Sequence, residues 1–225
     1  MITVEELSKT YRTGKVDVRA LKRVSFTVPE GELLAVKGRS GSGKTTLLNL
    51  IGGLDTPESG RVLVGGREVN ALGEQELLRM RREMVGFIFQ SFGLVPVLSA
   101  AENVGVPLRL TRTPAREREE RVRLLLALVG LSDQAEQRPY ELSGGQQQRV
   151  AIARALACEP RVLIADEPTG QLDSETAQSI MQLIQAVVRG QGVTAVVATH
   201  DPLLIGHADR VIELSDGVLS SDERS

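Results

Sequence analysis

Gly38-Arg39-Ser40-Gly41-Ser42-Gly43-Lys44-Thr45 fits the spacing G-x-x-x-x-G-K-[ST], between an apolar run and a helix-like stretch. Glycines at these places let the backbone curl with its N–H groups inward, so that the loop cradles phosphates. Lys44 is placed to reach the β- and γ-phosphates, Thr45 to offer a hydroxyl to Mg²⁺, and Thr46 to bond the α-phosphate. A second glycine-rich helix start, Leu142-Ser143-Gly144-Gly145-Gln146, offers unpaired N–H donors and the positive end of a helix dipole. One nucleotide triphosphate does not need both.

Val162-Leu163-Ile164-Ala165 is an apolar strand that ends in Asp166-Glu167. Its end lies beside the phosphate loop, where the Asp166 carboxylate can hold Mg²⁺ or its waters. Glu167, the next residue, can project towards an attacking water. The phosphate loop alone does not separate ATPase, GTPase and kinase; the acidic pair after a buried strand narrows the choice.

These groups need a scaffold of strands and helices. Ile2 to Tyr11 and Val18 to Val28 alternate apolar and polar residues, with Thr13-Gly14-Lys15 as the turn of a hairpin. Leu33 to Val36 is a continuous apolar run, as in a strand covered on both faces. Arg61 to Val64, Val85 to Phe89, Val193 to Ala198, Val211 to Leu214 and Val218-Leu219 read as further strands. Helices are expected at Thr45 to Ile51, Glu74 to Met84, Pro114 to Val129, Gly144 to Ala157 and Ser174 to Val188. In Pro114 to Val129 the inner side is assigned to Leu124, Leu125 and Leu128. In Ser174 to Val188 it is assigned to Ala177, Ile180, Met181, Ile184, Val187 and Val188. Alternating apolar strands and helices imply a largely parallel sheet wrapped by helices. Residues 91–143 are mostly helical and read as an insertion between sheet strands; Ser220 to Ser225 reads as a disordered polar tail.

The bulk numbers exclude several classes. A net charge of −2 gives no electrostatic footprint for DNA or RNA. The single cysteine, Cys158, allows no internal disulfide and fits a reducing compartment. Two histidines and one distant cysteine suggest no metal cluster, and His207 reads as a polar cap. No stretch reaches the roughly 20 apolar residues of a membrane span, and the start does not read as a signal peptide. The expected location is cytoplasmic, with any membrane association made through a partner.

Taken together, the motifs resemble the ATPase subunit of ABC (ATP-binding cassette) transporters. Glu141 to Arg154 is similar to that family's signature and its helix. Gln90 matches the Q-loop glutamine, Asp173 the D-loop aspartate, His200 the switch histidine, and Tyr11 the aromatic residue that stacks on adenine. The resemblance covers nearly the whole chain. It implies the α/β P-loop NTPase fold of ABC ATPases, with a mostly parallel core sheet, an N-terminal antiparallel β subdomain and an inserted helical subdomain. The implied division is a nucleotide-binding core of residues 1–90 and 144–219, the helical part 91–143, and the tail 220–225.

The resemblance further implies that two subunits sandwich two ATP molecules head to tail. Tyr11, Gly38, Arg39, Ser40, Gly41, Ser42, Gly43, Lys44, Thr45 and Thr46 of one subunit then hold the nucleotide. Ser143, Gly144, Gly145, Gln146 and Asp173 come from the other. Thr45, Gln90 and Asp166 serve Mg²⁺, while Glu167, His200, Lys44 and Gln90 take part in hydrolysis. The strings at Gln90 to Pro96, Ala101 to Val104 and Ala165 to Gly170 resemble one bacterial branch, that of lipoprotein-release, macrolide-export and cell-division ATPases. The implied partner is an integral membrane permease with a large extracytoplasmic domain. It is expected to dock on the apolar loop Gln90 to Ala101, with Phe92, Leu94, Val95, Val97 and Leu98. Three departures stand out: Arg39 where proline is frequent, Gln171 where asparagine is frequent, and Lys37, which must reach solvent or find a carboxylate.

Overall fold

A computed structural model describes residues 1–14 and 16–224. The chain opens with strands β1 (Ile2–Thr13) and β2 (Val16–Val28). Then β3 (Leu33–Lys37) leads through the phosphate loop into helix α1 (Lys44–Ile51). Next come β4 (Ser59–Val64), β5 (Arg67–Glu68), α2 (Glu74–Glu83) and β6 (Val85–Ile88). Helices α3 (Ala100–Leu110), α4 (Ala115–Leu128) and α5 (Gly144–Ala155) follow. The chain continues with β7 (Val162–Asp166), α6 (Ser174–Gln191), β8 (Thr194–Ala198), the single turn α7 (Pro202–Ile205), β9 (Arg210–Ser215) and β10 (Val218–Arg224). Of the turn expected at Thr13-Gly14-Lys15, Lys15 lies outside the described residues, as does Ser225 of the tail.

Two sheets result. The first is antiparallel, in the order β2-β1-β4-β5. The second runs β10-β9-β3-β8-β7-β6, parallel throughout except for β10 at its edge. Strands β3, β7 and β8 are buried on both faces, which is why they read as unbroken apolar runs. Their residues alternate between two cores, as the two-residue pleat requires. Leu33, Ala35, Leu163, Ala165, Ala195 and Val197 face α3 to α6. Leu34, Val36, Ile164, Val196 and Ala198 face α1 and the antiparallel sheet. The sheet thereby holds the carboxyl ends of β3, β7 and β8 side by side, where ligands gather in open α/β sheets.

Two expectations need correction. Helix α4 buries Val122, Leu125 and Leu126, while Leu124 and Leu128 are 59% and 47% exposed. The inward face is the i, i+3, i+4, i+7 set that ends at the fully buried Val129, and it sits close to Gly105 of α3. A leucine-rich helix offers two such stripes, and the close approach at Gly105 selects the one that carries valines. The polar tail is also ordered: Val218–Arg224 pairs with β9. Its anchor is Arg210, which donates to both Asp222 oxygens at 2.6 and 2.5 Å and to the Thr27 carbonyl at 2.6 Å. On α6, the six expected residues are all buried.

Candidate functional site

The phosphate loop needs its glycines for space as well as for curvature. A Cβ on Gly43, where φ is 104°, would lie 2.4 Å from the Ala20 carbonyl of β2. One on Gly38 would lie 2.4 Å from the Leu214 carbonyl of β9 and 2.5 Å from Ser42 Oγ. No side chain fits at either point. The loop is thus clamped between β2 and β9, with Gly217 N–H donating to the Ser42 carbonyl at 3.1 Å.

Lys44 folds back over this loop. Its Nζ donates to the Gly38 carbonyl at 2.7 Å and the Arg39 carbonyl at 3.3 Å, and lies 3.4 Å from Glu167 Oε1. The other Glu167 oxygen meets His200 Nδ1 at 2.9 Å. Glu167 begins the loop after β7 with φ 46°, a left-handed backbone that a non-glycine residue adopts at a cost of about 1–2 kcal/mol. That turn keeps its N–H on the Ala198 carbonyl at 2.9 Å. A carboxylate held between a lysine and a histidine can accept a proton while its position is kept.

Thr45 and Asp166 form a second pair. The Thr45 hydroxyl donates to Asp166 Oδ2 at 2.7 Å. Asp166 Oδ1 is buried and, among the described residues, has no hydrogen-bond partner. Burial pushes the Asp166 carboxyl above its ordinary range and neighbouring Glu167 adds to this; the Thr45 bond and the Lys44 charge oppose it. A buried carboxylate oxygen without a partner is costly, and it points to a cation-binding position.

These groups line one cavity of about 1090 Å³ with Tyr11, Arg39, Ser40, Gly41, Gly43, Thr46 and Gln90. Gln90 follows β6 and approaches Gly170 closely, its Nε2 3.1 Å from where a Cβ there would stand. Residues not singled out from sequence also line the cavity: Val18, Arg19, Ala20 and Lys22 of β2, and Asp216. Only the β2 register, and the Asp216-Gly217 turn against the phosphate loop, bring them there; local spacing carries no such signal. Lys37 finds a carboxylate, Glu213, at 3.3 Å.

Ser143, Gly144, Gly145, Gln146 and Asp173 do not line this cavity. Ser143 caps α5: its Oγ accepts from Gln146 N–H at 3.3 Å, and Gln146 Oε1 accepts from Ser143 N–H at 2.8 Å. Asp173 caps α6, accepting from the Thr176 N–H at 3.0 Å and the Thr176 hydroxyl at 2.7 Å. The Thr176 bonds, that from its N–H foremost, hold the Asp173 carboxyl below its ordinary range. The two caps touch, since a Cβ on Gly145 would lie 2.4 Å from Thr176 Cγ2.

Comparison with known proteins shows the family and the fold. The ABC transporter family model matches residues 21–170. The macrolide export ATP-binding/permease protein MacB of Brucella melitensis is 45% identical over 99% of this chain. The chain spans about a third, 34%, of that relative's length. The uncharacterized ABC transporter ATP-binding protein MJ0796 of Methanocaldococcus jannaschii is 44% identical, over 100% of this chain and 97% of that protein. A dimeric structure of the cassette MJ0796, in a post-hydrolysis state bound to ADP and Pi, aligns with a TM-score of 0.93 at 42% identity. The alignment covers 100% of this chain and 98% of that one. With most of its length matched by the family model, and a relative 44% identical along nearly the whole of both chains, the chain belongs to the ABC transporter family as an ATP-binding cassette.

Proposed function

We propose that this cassette binds MgATP in the 1090 Å³ cavity and hydrolyses it in a head-to-tail pair of copies, powering a membrane permease. One observation carries the reading: Lys44, the Thr45–Asp166 pair and the Glu167–His200 pair meet in one cavity, while the signature cap does not line it. The loop amides and Lys44 hold the phosphates. Ser143, Gly144 and Gly145 of the opposing copy close over the γ-phosphate. Glu167 accepts the proton of the attacking water, and His200 keeps the carboxylate aligned. Positioning and fixed charge supply most of the acceleration in phosphoryl transfer.

The residues fit Mg²⁺. Thr45 Oγ1 and the unpartnered Asp166 Oδ1 are two hard oxygen donors, and Gln90 shares their cavity. A site of one or two protein oxygens, completed by phosphates and waters, suits this ion; when bound it neutralises charge on the phosphates.

The permease contact is assigned to the loop after β6. Val95 and Val97 are exposed, Val97 by 73%, and Gly93 of the same loop lines an open groove with Phe87, Phe89, Pro107 and Leu110. Leu94 packs against the core, so Val97 and Val95 are the better probes of docking. Among the described residues no helix is long and apolar enough to cross a membrane, in keeping with a cytoplasmic, peripheral position on the inner face. The work driven is export, lipoprotein release or force transmitted to an extracytoplasmic domain.

Turnover tests the reading. Glu167→Gln should bind ATP as tightly as the parent yet hydrolyse it about 10²- to 10⁴-fold more slowly. Undiminished turnover would remove Glu167 from the chemistry.

A further inference from the structure

Tyr11 does not stand alone in β1. Its hydroxyl donates to Asp55 Oδ2 at 2.7 Å, across 44 residues of sequence. Lys9 donates to the other Asp55 oxygen at 2.7 Å and to the Thr56 carbonyl at 2.7 Å, which holds its ammonium 5.1 Å from the centre of the Tyr11 ring. Asp55 lies in the connection between α1 and β4 and does not line the nucleotide cavity, whereas Tyr11 does.

We infer that Asp55 and Lys9 are positioning residues for the nucleotide base, fixing the Tyr11 ring so that it meets an incoming purine in one orientation. The inference rests on the nucleotide reading of Tyr11 given above. A ring that must be immobilised on binding weakens affinity, and a ring already held does not. The Lys9 ammonium adds a cation–π contact that steadies the ring plane. Burial first, and then the Asp55 bond, keep the phenol above its ordinary range, so the hydroxyl stays a donor. Burial acts against the Asp55 charge, but bonds from Lys9, Tyr11 and the Thr56 N–H outweigh it and hold that carboxyl low. The connection has other anchors on β1: the Thr10 hydroxyl donates to Glu58 at 2.6 Å and the Glu58 N–H to the Ser8 carbonyl at 2.9 Å. Removing the Asp55 carboxylate therefore takes away the brace and leaves the loop docked.

The chain has two tyrosines and no tryptophan, so in a Tyr140→Phe background Tyr11 is the sole absorber near 295 nm. In that background, ATP Kd and turnover are measured for Tyr11→Phe, Asp55→Ala, their double variant and Tyr11→Ala, and the tyrosinate titration for the background itself and Asp55→Ala. Tyr11→Phe keeps the ring and removes the same bond from the other end. Each of Tyr11→Phe and Asp55→Ala should raise the ATP Kd about three- to tenfold with kcat unchanged, and the double variant should be no weaker than either. The Tyr11 tyrosinate midpoint should fall in Asp55→Ala. Parental Kd in both single variants, or penalties that add in the double variant, would overturn the brace. Tyr11→Ala tests the underlying reading separately. It should weaken ATP about five- to thirtyfold, and an unchanged Kd there would end the base-stacking role whatever Asp55 does.

Discussion

Two glycine-rich helix starts in this chain share a composition and differ in setting. At Gly38 to Thr45 the backbone is wedged against β2 and β9, and the lysine that follows is bonded back onto it and onto Glu167. Around it are carboxylates that are strained, buried or missing a partner. At Ser143 to Gln146 the side chains close a reciprocal cap with each other, and Asp173 does the same with Thr176. The first region is unfinished on its inside, where groups converge on a cavity. The second is finished internally, with Gly145 set close against Thr176 and Gly144 near Leu172. Its Ser143 is exposed and outside the nucleotide cavity, so this helix start is open to a second molecule without being part of the first site.

Glycine substitutions separate the two regions most sharply. Gly43→Ala drives a methyl to 2.4 Å from the fixed Ala20 carbonyl in a left-handed backbone. The expected outcome is loss of nucleotide binding and about 3 kcal/mol or more of stability, read by calorimetry and thermal melting. Gly145→Ala meets only the Thr176 side chain, which can move aside by giving up its hydroxyl bond to Asp173. It should cost about 1–3 kcal/mol, leave ATP affinity of the single copy at the parental value, and slow turnover. A fall in ATP affinity for Gly145→Ala would place the signature in the same site as the phosphate loop and erase the distinction between them. Ser143→Ala, which loses one cap bond, should cost about 1 kcal/mol on the same assays.

An effect of similar small size is expected outside both regions, at β10. Arg210, through its hydrogen bonds foremost, holds the Asp222 carboxyl below its ordinary range. That contribution is complete above the usual carboxylate range and is lost as pH falls through the lowered value. Asp222→Asn should cost about 1 kcal/mol at neutral pH, allowing for a partly exposed pair. Its thermal midpoint should converge with that of the parent in acid. A gap that persists there would assign the cost to the altered side chain and not to the charge.

What could be read in the residues follows the physics of each part. The phosphate loop, the β7 carboxylates and the α6 face depend on short-range spacing or on burial of whole runs, and both leave plain marks. On helix α4 the pattern places Leu125 correctly but misplaces Leu124 and Leu128, because the helix's facing depends on the close approach to Gly105. Strand β10 has alternating polar residues at a sheet edge and is held by Arg210, a contact that local pattern does not encode. The brace at Tyr11 joins residues 44 apart, and the β2 lining of the cavity depends on hairpin register. The motifs therefore marked residues that gather at the cavity, while the neighbours that aim them became visible only in three dimensions.

Whether the signature cap completes a second copy's site can be measured on the Glu167→Gln protein by size-exclusion chromatography with light scattering. Replacing the carboxylate keeps its size, stops proton transfer and removes a negative charge beside the γ-phosphate, so bound ATP persists. The protein should be monomeric without nucleotide and dimeric with ATP, and adding Ser143→Arg should return it to monomer while ATP still binds. An ATP-loaded Glu167→Gln protein that stays monomeric at high concentration, or a Ser143→Arg double variant that still dimerises, would contradict a site shared between two copies.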